Sequence, residues 1–319
     1  MAVLVGIDEA GYGPILGPLV VSSTVFSLPR ESLSCDLWQV LSRSVAIRRK
    51  HIGGRLLICD SKKAFNRTAG IKSLSRTVLA CLRCMGLSPK NLASLLELLC
   101  QDVLARLGQY PWYKDSGDYP LEADSNDIEI TAQVLAADLA ANQMRLLSLS
   151  SRCLDVGQYN EMINSVKNKA SVLFTCIASL MKAALDAFGD QDLQILVDRQ
   201  GGRVKYRRVL QRMFEGMELQ IISESAVSSS YELRGQGGAM RVHFVVGADE
   251  RYLLVSLASM VSKYLRELMM DCINRYFAGF GVDLKPTAGY WTDGLRFIED
   301  LRKLLPDVQI QSDLFIRCR

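Results

Sequence analysis

Along the chain, short runs of apolar and β-branched residues alternate with longer stretches in which leucine, alanine and valine recur every three or four positions. The runs at 2–7 and 19–26 predict neighbouring strands, separated by a turn that holds Gly11, Gly13 and Gly17 with Pro14 and Pro18. A short helix is predicted at 37–45 and a strand at 55–59 that stops at Asp60, after which helical spacing dominates 70–84 and 91–107. Residues 109–126 carry Pro111, Gly117, Pro120 and several aspartates, the composition of a loop or the tip of an insertion. Helix is predicted again over 131–147 and over much of 159–188. The run at 194–197 predicts a strand ending at Asp198. Beyond it come a basic helix at 203–213, strands at 218–223, 229–234 and 241–246 with a glycine turn at 235–238, and a long helix at 252–277. The alternation predicts an α/β protein.

Composition narrows the class. The 319 residues are 49% hydrophobic and 23% charged, enough for a sizeable core and too apolar for disorder as the main state. No run is read as the roughly 18 to 20 apolar residues of a membrane span, and the start lacks the pattern of a signal peptide, so a cytoplasmic protein without a membrane partner is expected. Nine cysteines, scattered and odd in number, predict reduced thiols, and the Cys81/Cys84 pair, with no second pair at metal-binding spacing, reads as helix core. The only histidines are His51 and His243, so carboxylates must carry any catalysis. The net charge of +4 gathers in Arg48-Arg49-Lys50, Lys62-Lys63 and the group Arg199, Arg203, Lys205, Arg207 and Arg208; each is either a solvated face or a partner for phosphates.

The recurring feature is an apolar strand that stops at an acid: Asp8 with Glu9, then Asp198, with Asp249 shortly after the strand at 241–246. Strand ends gathered at one edge of a sheet would bring these carboxylates together. Neighbours in a regular strand face opposite sides, so Asp8 and Glu9 are expected to share a site only if the strand breaks or bulges there. Each acid also has a structural reading, Asp198 as a turn residue and Asp249 as a cap for the following helix. The glycine turn fits a dinucleotide fold poorly, because Pro14 and Pro18 oppose a helix opening there and two acids would face the pyrophosphate; no P-loop sequence occurs.

The segment from Ile7 to Pro18, with Ile7-Asp8-Glu9-Ala10-Gly11-Tyr12-Gly13-Pro14 and Gly17-Pro18, resembles the opening motif of the type 2 ribonucleases H (ribonucleases HII and HIII). Asp60-Ser61-Lys62-Lys63, Val197-Asp198, Asp249 with Arg251, Ser256, Ala258, Ser259 and Lys263, and Gly289-Tyr290 with Thr292 resemble the family's later motifs in the same order. The resemblance covers most of the first 65 residues and about 194–292. It implies a single catalytic domain over 1–319 with a mixed central sheet flanked by helices; 87–147 and 203–238 are longer than the family needs and read as a helical insertion and a smaller insertion.

The resemblance further implies a metal-dependent endonuclease that cuts the RNA strand of RNA–DNA hybrids, or of duplex DNA containing ribonucleotides. Asp8, Glu9, Asp198 and Asp249 would be the catalytic, metal-holding acids, for two Mg²⁺ or Mn²⁺ ions about 3.5 to 4 Å apart, with water as the nucleophile. Gly11, Tyr12, Gly13 and Tyr290 would meet the 2′-hydroxyl, Ser61, Lys62 and Lys63 the backbone phosphates, and Ser259 and Lys263 the phosphates or the acids. Three positions depart from the pattern: Tyr12 stands where the family has a basic residue, Arg199 where it has glycine and Trp291 where it has proline. Arg199 and Arg203 are the cations at hand to replace the one missing at Tyr12. The rival readings are a hybrid-binding protein of the same fold without efficient cleavage, and an interaction protein built on the leucine-rich inserts.

Overall fold

The structure is a computed structural model; it describes residues 1–65, 70–121 and 123–318, with every side chain among them except that of His51. The chain opens with β1 (Ala2–Ala10), β2 (Leu19–Leu28), α1 (Leu37–Val40), β3 (Val45–Ala46), β4 (Leu56–Leu57) and α2 (Ser61–Ala64). A helical stretch follows: α3 (Lys72–Cys84), α4 (Leu92–Leu99), α5 (Leu104–Leu107) and α6 (Ser125–Ala141). Then come β5 (Arg145–Leu154), α7 (Val156–Val166), α8 (Lys169–Phe188), β6 (Asp192–Asp198), α9 (Arg207–Met213), β7 (Glu218–Glu224), β8 (Ser228–Gly235) and β9 (Gly238–Val245). The last elements are α10 (Ala248–Arg251), α11 (Leu253–Ala278), α12 (Trp291–Leu304) and α13 (Ser312–Phe315).

Seven strands form one sheet in the order β5-β2-β1-β6-β9-β8-β7, the mixed central sheet flanked by helices that the sequence motifs imply. β1, β6 and β9 run parallel, while β2 and β5 on one side and β8 and β7 on the other are antiparallel to their neighbours. Alternation along β1 divides the interior into two cores. Val3, Val5 and Ile7 face α8, whereas Leu4 belongs to the core built on α11, together with Leu92, Leu95 and Leu96 of α4 and Leu135 and Leu139 of α6. At Gly6 the backbone of α11 presses on the sheet: a Cβ there would sit 2.4 Å from the carbonyl carbon of Leu254. The Thr24 hydroxyl donates to the Leu254 carbonyl oxygen at 2.8 Å, fixing the same contact from β2.

Several predicted elements are redrawn. The helix expected over 131–147 stops at Ala141, and the leucines beyond it alternate with serines as strand β5, whose Ser151 and Ser150 hydroxyls pair with those of Ser22 and Ser23 at 2.8 Å each. Residues 159–188 divide at Lys167, which caps α7 in a left-handed conformation before Asn168 caps α8. The helix at 37–45 ends at Val40 and yields to β3. The predicted loop at 109–126 contains a 3₁₀ turn, Pro111–Gly117, that buries Trp112 and Tyr113. The basic helix begins only at Arg207, because the Ser229 hydroxyl and the Tyr231 hydroxyl bind the preceding backbone at Val204 and Tyr206 in a loop. By length and composition α8 passes the test for a membrane-crossing helix, contrary to the sequence reading, although Phe174, Ile177 and Met181 on it are buried in the core against the sheet. Among the described residues all nine cysteines are free; Cys81 is buried within α3, and Cys84 near its end is half-buried.

Candidate functional site

Three parallel strands deliver the acids to one edge. β1 and β6 pair from Ala2↔Asp192 to Ile7↔Val197, so the next residues, Asp8 and Asp198, emerge side by side where that pairing ends. Asp198 stands opposite Val245, the last residue of β9, and Asp249 follows in α10. Asp198 Oδ1 accepts the Ala248 N–H at 2.7 Å, which ties the end of β6 to the turn that carries Asp249. The break or bulge expected at Asp8 and Glu9 is absent: β1 continues in register with β2 through Asp8↔Ser22, Glu9↔Val21 and Ala10↔Val20. The Asp8 carboxylate instead folds back to accept the Glu9 N–H at 2.8 Å. With β6 no longer paired alongside, that side of β1 opens onto the site.

The four carboxyls feel one another. Burial, then the charges of Glu9 and Asp198, hold Asp8 well above the usual carboxylate range, opposed by a hydrogen bond from Ser259. Burial and the Asp198 charge push Glu9 up to about 7. Asp198 rises to about 6 through burial and the Asp249 charge, against the bond from Ala248. Asp249 is raised by burial and by Asp60, with Lys62 opposing. Among the described residues no three of these groups converge closely enough to form a metal cage on their own. As a donor set they suit Mg²⁺ or Mn²⁺, hard ions that take oxygen ligands and complete their shells with water and substrate phosphate.

These shifts set a pH dependence. Glu9 and Asp198 bind protons more tightly in the folded chain than at their ordinary values of 4.5 and 3.8. Between those values and the folded ones the native state holds more protons than the unfolded state, so native stability falls as pH rises through the window from about 4 to about 7. Thermal melts in EDTA are expected to record a loss of about 1–3 kcal/mol across it. Mg²⁺ is expected to recover the loss above pH 7, where the acids are charged; a flat EDTA profile would contradict the geometry.

The helix face behind the acids carries hydroxyls. The Ser259 and Ser61 hydroxyls are hydrogen-bonded at 3.0 Å, and the Ser256 hydroxyl donates to the Asp249 carbonyl. Ser262, not singled out in the sequence, donates to the Asp8 carbonyl at 3.0 Å and contacts the Ser22 hydroxyl at 2.8 Å. Its spacing of three from Ser259 on the same helix was the available signal. Lys263 lies further along, buried, paired with Glu267 at 2.7 Å and 4.8 Å from the Phe65 ring centre. Of the two lysines on α2, Lys62 is exposed and acts electrostatically on both Asp198 and Asp249, whereas Lys63 pairs with Glu250 at 2.6 Å. His243 stands apart, bonded through Nδ1 to Ser230 at 2.9 Å.

The glycine turn and Tyr290 are brought together by backbone contact. Ile15 and Leu16 both donate to the Gly289 carbonyl, at 2.9 and 3.2 Å. Gly11 adopts φ +91°, and a Cβ there would meet the Pro18 carbonyl at 2.6 Å, so only glycine fits. Tyr12, Gly13 and Tyr290 are exposed at the mouth. Two fully buried arginines, both missed in the sequence, hold this turn. Arg266 donates to the Ala288 carbonyl at 2.8 Å and lies 5.4 Å from the Tyr290 ring centre. Arg317 binds the carbonyls of Gly11 and, at 2.7 Å, Gly17, with its guanidinium 4.8 Å from the Tyr159 ring centre. Burial and the nearby Arg266 charge push Arg317 down to about 9.

No protein-family model and no curated protein matches the chain. Among solved structures it is similar to RNase HII of Archaeoglobus fulgidus, determined in complex with PCNA, at 19% identity over 99% of this chain and 94% of that one, with a TM-score of 0.46. It is similar to Aquifex aeolicus RNase H3 at 14% identity over 98% of this chain and 71% of that one, with a TM-score of 0.42. Against Bst-RNase HIII in complex with Mn²⁺ the values are 16%, 93%, 62% and 0.40.

Proposed function

We propose that this chain is a divalent-metal-dependent endonuclease that hydrolyses the RNA strand of RNA–DNA hybrids, or of duplexes carrying ribonucleotides. The observation that carries the reading is the placement along one sheet edge of four carboxyls, from residues 8, 9, 198 and 249, each raised in pKa by burial and neighbouring negative charge. Such a cluster is unfavourable when empty and favours cation binding. Asp8, Glu9, Asp198 and Asp249 would hold Mg²⁺ or Mn²⁺, which supplies charge to stabilise the oxygens of a phosphodiester displacement.

The chain's own groups do the positioning. Ser262 and the Ala248 N–H fix the Asp8 backbone and the Asp198 carboxylate. Lys62 places a positive charge beside the acids, and Lys63, exposed and paired with Glu250 at 2.6 Å and Asp60 at 4.0 Å, is available to exchange Glu250 for a phosphate. Gly11, Gly13 and Tyr290 present backbone and phenol to the sugar, the group that separates RNA from DNA.

The test is incubation with labelled RNA–DNA hybrid, single-ribonucleotide duplex and all-DNA duplex in Mg²⁺, Mn²⁺ or EDTA. Cleavage of a ribonucleotide-containing strand, with metal only, is expected. Hybrid binding without any cleavage would move the assignment to a binding protein of the same fold, and cutting of all-DNA duplex at equal rate would overturn the substrate class.

A further inference from the structure

The basic group at 199–208 divides into two roles in the fold. Arg199, at the position of the family's glycine, is buried and committed: its guanidinium donates to the carbonyls of Ala226 at 2.6 Å and Ser225 at 2.9 Å and to the Ser229 hydroxyl at 2.8 Å. It latches the end of β6 to β8 and has little left for a substrate. Further bonds clamp the loop from residue 199 to residue 206. Ser229 donates to the Val204 carbonyl at 2.6 Å, the Gln200 N–H to the Tyr206 hydroxyl at 3.1 Å and the Tyr206 N–H to the Tyr231 hydroxyl at 2.9 Å. Tyr206 is itself stacked on Phe244 with ring centres 3.6 Å apart.

On this clamped loop three side chains leave polar atoms buried and unpartnered among the described residues: Nε of Arg199, whose other nitrogens are committed, Nη1 of Arg203, and both Oε1 and Nε2 of Gln200. A buried donor or acceptor without a partner is costly, and a native fold that keeps an uncommitted guanidinium nitrogen and a whole side-chain amide in that state on one clamped loop marks a place for a ligand. The Arg203 guanidinium lies 5.6 Å from the Tyr206 ring centre, which holds its stem in place. Its charge opposes the rise that burial and Glu9 give the Tyr12 phenol. A positive charge thus acts on Tyr12 from another element, where the turn itself carries none.

We propose that Arg203 is the phosphate-binding cation of this site, donating to a non-bridging oxygen of the nucleic-acid backbone beside the glycine turn, with the Gln200 amide bonded to the same backbone. The inference rests on the nuclease reading and adds to it a contact made by this chain's own departure from the family pattern. A guanidinium preset against an aromatic ring loses little freedom on meeting a phosphate.

The experiment measures binding of a labelled RNA–DNA hybrid, in Mg²⁺ and over a salt series, in an Asp8→Asn background that leaves the hybrid uncut. Arg203→Ala is expected to raise Kd about tenfold and to reduce the salt slope by about one. Arg203→Gln, which keeps the stem on Tyr206, is expected to lose as much, and Arg203→Lys to recover part. Adding Tyr12→Arg to Arg203→Ala is expected to restore Kd to within about threefold, since the charge returns to the turn. In the cleaving enzyme the loss falls on KM more than on kcat. Unchanged Kd and salt slope in Arg203→Ala and Arg203→Gln, with the unmodified chain cutting hybrid, would overturn this inference and leave the nuclease reading standing. A chain that neither binds nor cuts hybrid would remove both.

Discussion

On the proposed nuclease reading, Asp8→Asn and Asp198→Asn are each expected to reduce hybrid cleavage by about a thousandfold or more, because each would remove a charged metal ligand worth several kcal/mol of transition-state stabilisation, at about 1.36 kcal/mol per tenfold. The same substitutions are expected to raise the melting temperature in EDTA at pH 8. Asp8 is buried beside Glu9, Asp198 and Asp249, and removing one of the repelling charges relieves the metal-free fold. Opposite signs for activity and stability separate a lost ligand from a damaged fold. Single-turnover cleavage and thermal melts on the same preparations read both. Cleavage that survives in both variants would reject the site.

Arg317→Met is expected to destabilise the protein by about 3–5 kcal/mol, the range for removing one partner from a buried charged network. Arg317 is 3% exposed, and its loss strands the buried carbonyls of Gly11 and Gly17, in the turn that presents Tyr12 and Gly13. Urea denaturation measures the stability change, and KM for hybrid should rise as the turn loosens. A loss below about 1 kcal/mol would mean that the turn is held by its glycines and prolines alone.

The acids were legible because apolar runs that end in carboxylates at residues 8 and 198 are a local pattern, and parallel strands convert it into proximity. The α/β alternation was legible in the apolar runs, and the mixed sheet in what the motif resemblance implied. β5 was not, since its leucine and serine alternation follows an alanine-rich helix without a proline or glycine to mark the change, and its identity depends on pairing with β2. The bulge expected between Asp8 and Glu9 failed because side-chain direction is not the only way for neighbours to meet. At the end of the β1 and β6 pairing, a carboxylate folds back onto the following amide and both acids reach the open edge. Arg266 and Arg317 left no sequence signal: an arginine reads as surface until the fold seals it against carbonyls hundreds of positions away.

The bond from Ser262 to the Asp8 carbonyl spans 254 positions. As the polypeptide leaves the ribosome, β1 therefore stays uncovered on one face until α11, far behind it in the chain, arrives to press against Gly6. One face of the sheet is therefore completed by contacts of high sequence separation, whose loop-closure cost must be met before they reward it.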